Sequence, residues 1–316
     1  MKTIYLVIPC YNEEEVIIET SNRLNEKMNK LISKGVISRN SKVVFVDDGS
    51  KDNTWKIIEE LNKINSLFFG IKLSRNRGHQ NALLAGLLTI KDMCDAAISL
   101  DADLQDDINT IDKFIEKFYE GCDVVYGVRS SRKKDTNFKR LTAQGFYRFM
   151  KFLGVDMVYN HADYRLMSKR ALESLSDYKE VNLFLRGLVP LIGYKSDKVY
   201  YERNERFAGE SKYPLKKMLA FAFEGITSFS VKPIRMVLGI GFLMFVGSLI
   251  AMLYFLIVWI KGETVQGWTT IVASIWMIGG IQLLCLGIIG EYIGKIYMEA
   301  KERPKFIIDK FIKDEI

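Results

Sequence analysis

Residues 95–107 read DAAISLDADLQDD. The stretch DAAISLDAD (95–103) starts as a continuous apolar run, the pattern of a strand buried on both faces, and then breaks into acids. Asp101 and Asp103 stand one residue apart at the strand end, with the Gln105 amide two further on. Such a set offers oxygen ligands to a hard divalent cation, Mg²⁺ or Mn²⁺. An ion held there could bridge a diphosphate and neutralise charge developing on a leaving group. Helix-capping acids in a surface loop give the same letters, so the apolar strand in front of them carries the reading.

Working outward, the arrangement recurs. TIYLVIP (3–9) is an apolar, β-branched run ending at Pro9, followed by a helical pattern from Glu14 to about Leu31. KVVFVDD (42–48) closes at Gly49 and Ser50, and Asp52 opens a helix to Leu61. FFGIKL (68–73) precedes a helix from Ala82 to Ile90, and a helix near 108–120 precedes DVVYGV (123–128). Strands without polar alternation, separated by helices, predict an α/β fold of nucleotide-binding type with a parallel sheet covered on both faces. Chemistry in such sheets gathers at the carboxyl ends of the strands. Those ends here are Pro9–Glu14, Asp47–Ser50, Ser74–Gly78 and Asp101–Gln105, and the acids of Asp47-Asp48 suit donors of a base or ribose. The dinucleotide pattern G-x-G-x-x-G and the P-loop pattern are both absent from the sequence, which removes the main support for a nicotinamide dehydrogenase or a P-loop enzyme.

The 316 residues suit two modules, and 48% hydrophobic against 26% charged excludes a disordered chain. Residues 237–260 and 268–290 contain no charged residue, and each is long enough to cross a hydrocarbon core needing roughly 20 residues. Only KGETVQG (261–267) separates them, so they predict a transmembrane hairpin. The loop offers Lys261 alone, whereas the flanks carry Lys212, Lys216, Lys217, Lys232, Arg235, Lys295, Lys301, Arg303 and Lys305. The positive-inside rule then puts both termini and the soluble domain in the cytoplasm. Residues 129–151 hold eight Lys/Arg against one Asp within a chain of net charge +7. Nucleic acid is the competing partner for such a cluster, but a membrane hairpin favours anionic lipid headgroups. PLKKMLAFAFEGITSFS (214–230) mixes apolar and basic residues and predicts an amphipathic interfacial helix. Cys10, Cys94, Cys122 and Cys285 show no metal-type spacing and read as free thiols. The N-terminus meets charge too soon for a signal peptide.

Seven motifs together resemble the family 2, GT-A-fold glycosyltransferases of the polyprenyl-phosphate type, relatives of dolichyl-phosphate mannosyltransferase and the bactoprenol glucosyltransferases. They are VIPCYNEE (7–14), VFVDDGSKDNT (44–54), NRGHQNALLAG (76–86), SLDADLQDD (99–107), YGVRSSR (126–132), DYRLMSKRAL (163–172) and RFAGESKYPLKKML (206–219). The resemblance implies a Rossmann-like GT-A domain over 1–210, an interfacial segment over 211–232, a two-helix membrane hairpin over 233–295 and a cytoplasmic tail over 296–316. It places Pro9, Tyr11, Glu13, Asp48, Asp101, Ala102 and Asp103 on the nucleotide sugar, with Asp101, Asp103 and Gln105 as metal ligands. Arg206 and Lys212 would clamp phosphates; Arg129, Arg132, Arg140 and Lys212 would receive the acceptor phosphate. Asp103, Arg129 and Asp163 form the catalytic set, with Asp163 the candidate base or acceptor-positioning group. Two positions depart from the family pattern: Asp107 stands where Pro is usual, and Tyr164 where Phe is usual.

The implied reaction is inverting transfer of one hexose from a nucleotide sugar, UDP-glucose or UDP-N-acetylglucosamine in front of GDP-mannose, to undecaprenyl phosphate. A lipid phosphate is already an anion, so a strong general base is less necessary than for a hydroxyl acceptor. His79 and His161, the two histidines, read as polar packing or loop contacts. A non-catalytic membrane scaffold is the alternative from another class. A processive synthase would need a Q-x-x-R-W motif, and QGFYR (144–148) lacks the Trp. Gly239, Gly241, Gly247 and Ser248 permit close helix packing and are compatible with a membrane homo-oligomer.

Overall fold

The structure, a computed structural model, describes residues 1–130, 161–180, 184–202 and 267–313 together with part of 234–261. The chain divides into two compact units: Met1–Arg148, Asp156–Tyr213 and Arg303–Ile316 form the first, and Phe149–Val155 with Pro214–Glu302 the second.

The first unit is an α/β fold of GT-A type. In chain order it contains β1 (Ile4–Cys10), α1 (Ile17–Ser33), β2 (Lys42–Asp47), α2 (Thr54–Ile64), β3 (Phe68–Leu73), α3 (His79–Ile90), β4 (Ala96–Ser99), α4 (Thr110–Tyr119) and β5 (Val124–Arg129). Then follow β6 (His161–Ser168), α5 (Lys169–Ser176), α6 (Leu185–Leu191), β7 (Ser196–Tyr201) and β8 (Ile308–Ile312). One eight-stranded sheet has the order β7-β5-β6-β4-β1-β2-β3-β8. Every residue of β1 is buried because the sheet is covered on both faces. Ile4, Leu6 and Ile8 pack into one apolar layer, and Tyr5 and Val7 into the other. Gly86 of α3 lets that helix lie directly on the sheet, since a Cβ there would come within 2.5 Å of Val7 and 2.7 Å of Val46.

The parallel sheet expected from the sequence is mixed. β1 to β4 pair in parallel, but β6 runs antiparallel between β4 and β5, and β8 runs antiparallel along β3. The charges of Asp163 and Arg165 hide β6 in the sequence; both are buried in the structure and pair with each other. The segment expected as a C-terminal tail contains β8, whose Ile312 packs against one core layer and Ile308 and Phe311 against the other.

Strand order places the site. From β1 the chain moves outward to β2 and β3 on one side and returns to β4 on the other, so β1 and β4 flank the topological switch point where ligands bind in open α/β sheets. β1 pairs with β4 only as far as Val7 and Ser99, yet with β2 as far as Cys10 and Asp47. Pro9, which lacks an N–H, thus falls where the strands on one side have parted. Of the described cysteines none is paired; Cys10, Cys94 and Cys122 are buried.

In the second unit, α7 (Trp268–Ala300) begins where the second span was expected and continues ten residues past Gly290. Glu291, Lys295 and Glu299 recur there at the four-residue spacing that supports a helix, which explains the extension. Its stretch Met277–Ala300 is, among the described residues, the one helix long and apolar enough to cross a membrane. The described positions between 234 and 260 are helical. The segment 211–232 lies outside the described residues.

Candidate active site

The loops after β1 and β4 form the two sides of the switch point. Among the described residues, three other than glycine have positive φ, and two of them lie here: Asn12 at 53° and Leu104 at 57°. Such backbone persists where the surroundings hold it. Asn12 is held on both sides, its N–H donating to Ser50 Oγ at 3.0 Å and its Oδ1 accepting from Lys51 N at 2.9 Å. Glu13 N donates to Thr54 Oγ1 at 2.9 Å, so the β1 loop is stitched to the start of α2. Tyr11, between Cys10 and Asn12, is exposed.

After β4, burial alternates. Ala102, Leu104 and Asp106 are buried, whereas Asp101, Asp103 and Gln105 are partly exposed. Thr20 Oγ1 donates to Ala102 O at 2.8 Å, pinning the loop to α1, and Asp103 Oδ1 accepts from Gln105 N at 3.2 Å. The three oxygen-bearing side chains proposed for a metal are therefore the accessible ones. Among the described residues, no three His, Cys, Asp or Glu converge to hold an ion by themselves. Asp101, Asp103 and Gln105 are the oxygen donors that a hard cation would take.

Asp48, at the end of β2, is buried, and each carboxylate oxygen accepts a backbone amide of the β3 loop: Arg77 N at 2.7 Å and Gly78 N at 2.8 Å. Gly49 beside it has φ +68°, and a Cβ there would come within 2.7 Å of the Arg75 and Asn76 backbone. The β2 and β3 loops touch main chain to main chain. The following three side chains each hold a different wall. His79 Nε2 lies 3.4 Å from Asp101 Oδ1 and 3.9 Å from Asp163 Oδ2, Gln80 Oε1 accepts from Leu185 N at 3.0 Å, and Asn81 Nδ2 donates to Arg77 O at 2.8 Å.

Asp163 is buried on β6 between two guanidiniums. Arg165 donates to its Oδ1, and Arg186 of α6 donates through Nη2 to Oδ2 at 3.0 Å and through Nε to Oδ1 at 3.3 Å. Burial alone would raise the Asp163 pKa, but Arg186 and Arg165 outweigh it and hold the carboxyl well below the usual range. Arg165 is fully buried and gives its other contact, from Nη1, to Leu185 O at 3.2 Å.

A second buried carboxylate behaves oppositely. Tyr201 donates from its hydroxyl to Asp106 Oδ1 at 2.6 Å, and Arg129 Nη2 is 3.8 Å from the same oxygen. Burial, reinforced by the charge of Asp101, pushes Asp106 up to about 6. Asp106 Oδ2 and Arg129 Nε are buried without a hydrogen-bond partner.

A family model described as glycosyl transferase family 2 matches residues 5–176, the span that contains the ends of β1 to β4 and Asp163 of β6. The chain belongs to glycosyl transferase family 2. A model described as the GtrB C-terminal hairpin matches residues 232–296. YkoT, a glycosyltransferase of Bacillus subtilis (strain 168), is 57% identical over 304 residues, covering 96% of this chain and 90% of that protein. The bactoprenol glucosyl transferase of Shigella phage SfII is 40% identical over 312 residues, covering 97% of each. The prophage bactoprenol glucosyl transferase homolog of Escherichia coli (strain K12) is 39% identical over 315 residues, covering 98% of this chain and 99% of that protein. The protein is thus a family 2 glycosyltransferase with a GtrB hairpin, and it is homologous along its whole length to bactoprenol glucosyl transferases. The hairpin marks membrane association.

For this glycosyltransferase, the sequence-derived residues Pro9, Tyr11, Glu13, Asp48, Asp101, Ala102, Asp103 and Gln105 all lie at the ends of β1, β2 and β4. Arg129 and Asp163 come from β5 and β6. Arg132, Arg140, Arg206 and Lys212 lie outside the described residues. His79, read from sequence as a loop contact, opens α3 between two acids. Arg186, Asp106 and Tyr201 were missed. The signal for Asp106 was its place in DADLQDD; for Arg186, 23 residues beyond Asp163, sequence spacing carries none.

Proposed function

We propose that this glycosyltransferase moves one hexose from a UDP-sugar to undecaprenyl phosphate at the cytoplasmic membrane face, with inversion at the anomeric carbon. UDP-glucose is the first donor, UDP-N-acetylglucosamine the second. The observation that carries this is the full-length match to proteins named bactoprenol glucosyl transferase, which spans catalytic unit and hairpin alike. Positive charge flanking the hairpin supports both termini being cytoplasmic.

A phosphate oxygen of the lipid attacks the anomeric carbon as the bond to the diphosphate breaks, and the nucleoside diphosphate leaves with the electron pair. No proton has to be removed from such an acceptor. That suits Asp163, whose two guanidinium partners leave it a weak base. Its part is to hold Arg186 and to stand beside His79, which itself lies against Asp101, so that the three orient the acceptor. Asp101, Asp103 and Gln105 would hold Mg²⁺ or Mn²⁺, which supplies positive charge to the leaving diphosphate. Arg129 would add a second cation near the phosphates.

Membranes containing the protein, given radiolabelled nucleotide sugars and undecaprenyl phosphate, are expected to yield chelator-sensitive label in the lipid phase from UDP-glucose. Label from GDP-mannose instead would move the reading to a mannosyltransferase. Binding of UDP-sugar with no lipid product from any donor would favour the scaffold.

A further inference from the structure

The loop bearing Asp101, Asp103 and Gln105 ends at two neighbouring residues, each gripped by a tyrosine from a different strand. Tyr201 of β7 donates to Asp106 Oδ1 at 2.6 Å. Tyr164 of β6, fully buried, donates to Asp107 O at 3.0 Å. The two rings meet edge to face with centroids 5.4 Å apart, and Phe114 of α4 packs on Tyr164 at 4.7 Å. Tyr201 is fixed in turn, since its carbonyl accepts from Ser130 N at 2.8 Å and Ser130 Oγ at 3.0 Å. Asp107 Oδ1 accepts from Asn109 N at 3.0 Å, starting the turn into α4. The two positions at which the sequence departs from the family pattern, Tyr164 and Asp107, are therefore hydrogen-bonded to each other.

We propose that Tyr164 and Tyr201 are positioning residues that clamp the exit of the Asp101–Asp107 loop and so set how its oxygen ligands meet the nucleotide diphosphate. Neither hydroxyl touches the accessible face of the loop: both act on Asp106 and Asp107, behind Asp101 and Asp103. Leu104, at φ 57°, is the strained point between the gripped end and the strand, so releasing the exit lets the loop relax there. The pair acts differently by chemistry. Tyr201 bonds a buried carboxylate, and Tyr164 a backbone carbonyl, so losing Tyr201 is the larger change.

The inference rests on the proposed function for the identity of the ligand. Its test uses Tyr201→Phe and Tyr164→Phe, which keep both rings. Calorimetric titration of the purified full-length protein with UDP in the presence of Mn²⁺ gives a readout independent of turnover. The UDP dissociation constant is expected to rise roughly tenfold in Tyr201→Phe and roughly threefold in Tyr164→Phe, in line with charged and neutral hydrogen bonds. Transfer at saturating donor should fall as well, by up to about tenfold and again more in Tyr201→Phe than in Tyr164→Phe, because the displaced oxygens also serve the leaving diphosphate. Unchanged UDP affinity in both variants overturns the clamp, as does a lost turnover with affinity intact. If Tyr201→Phe does not fold, Tyr164→Phe alone decides. A wild type that binds UDP equally with and without Mn²⁺ overturns the metal assignment instead, and the variants are then read on UDP alone. A wild type that binds GDP and not UDP corrects the donor, and the variants are read with GDP.

Discussion

The two sides of the active site are built by different means. On the β1–β4 side, each contact has a backbone group as one partner: Asp48 accepts the amides of Arg77 and Gly78, Ala102 gives its carbonyl to the Thr20 hydroxyl, and Gly49 touches the Arg75 main chain. Toward β5–β7, carboxylates are held by side chains: Asp163 of β6 by Arg165 of the same strand and Arg186 of α6, and Asp106 at the end of the β4 loop by Tyr201 of β7. A backbone-built site is rigid once the strands are in place. A side-chain-built site depends on a few cations and hydroxyls, and one substitution can leave a buried charge alone.

The largest expected effect belongs to the accessible acids. On the proposed reading, Asp103→Ala removes an oxygen from the diphosphate at the cost of one loop contact, that to Gln105 N, so transfer should fall roughly 10³-fold while the melting temperature moves little. Initial rates in lipid extracts measure this, and full activity at saturating metal would end the assignment of Asp103. Asp163→Asn comes next and strikes the side-chain-built half. It leaves Arg165 buried against Arg186 without a counter-charge, at a cost of about 3–5 kcal/mol in stability. Denaturant unfolding should show it, and a loss under about 1 kcal/mol would mean that the ion cluster is better solvated than its burial indicates.

Asp48→Asn makes the matched change on the backbone-built side. An amide offers one acceptor where two loop N–H groups converge, so one half-buried donor loses its partner, at about 1–2 kcal/mol. The damage should stay local to the β3 loop and appear as weaker nucleotide binding. A global loss as large as that of Asp163→Asn would erase the distinction between the halves.

The same division decides what the sequence disclosed. Apolar runs that stop at acids reveal β1, β2 and β4 together with Asp48, Asp101 and Asp103, because a strand buried on both faces has no polar interruption. β6 stayed hidden because Asp163 and Arg165 interrupt it, and they are tolerated only through the partner on α6. β7, SDKVYY, exposes alternate residues and lacks an apolar run, so Tyr201 gave no signal. β8 is an edge strand 235 residues beyond the end of β3, and no local pattern links the two. His79 was read as a contact, and only the fold brings Asp101 and Asp163 to it.

The smallest effect is also the one that separates the two buried carboxylates on the side-chain-built half. Asp106, raised to about 6, holds a proton in the folded protein over a range where the unfolded chain, near 3.9, has released it. Stability from this group is therefore present below about pH 4 and lost as pH rises through 6. Asp163 is depressed, so its contribution is present above about pH 3.9 and lost only as pH falls further. Between pH 7 and 5 Asp106 changes the balance and Asp163 does not, and acidification over that range should add about 1 kcal/mol. Thermal melts in chelator at pH 7, 6 and 5 measure it. Asp106→Asn should flatten the rise. A wild-type curve already as flat as that of the variant would show that water reaches Asp106, and the Tyr201 hydroxyl would then be one solvated contact among several.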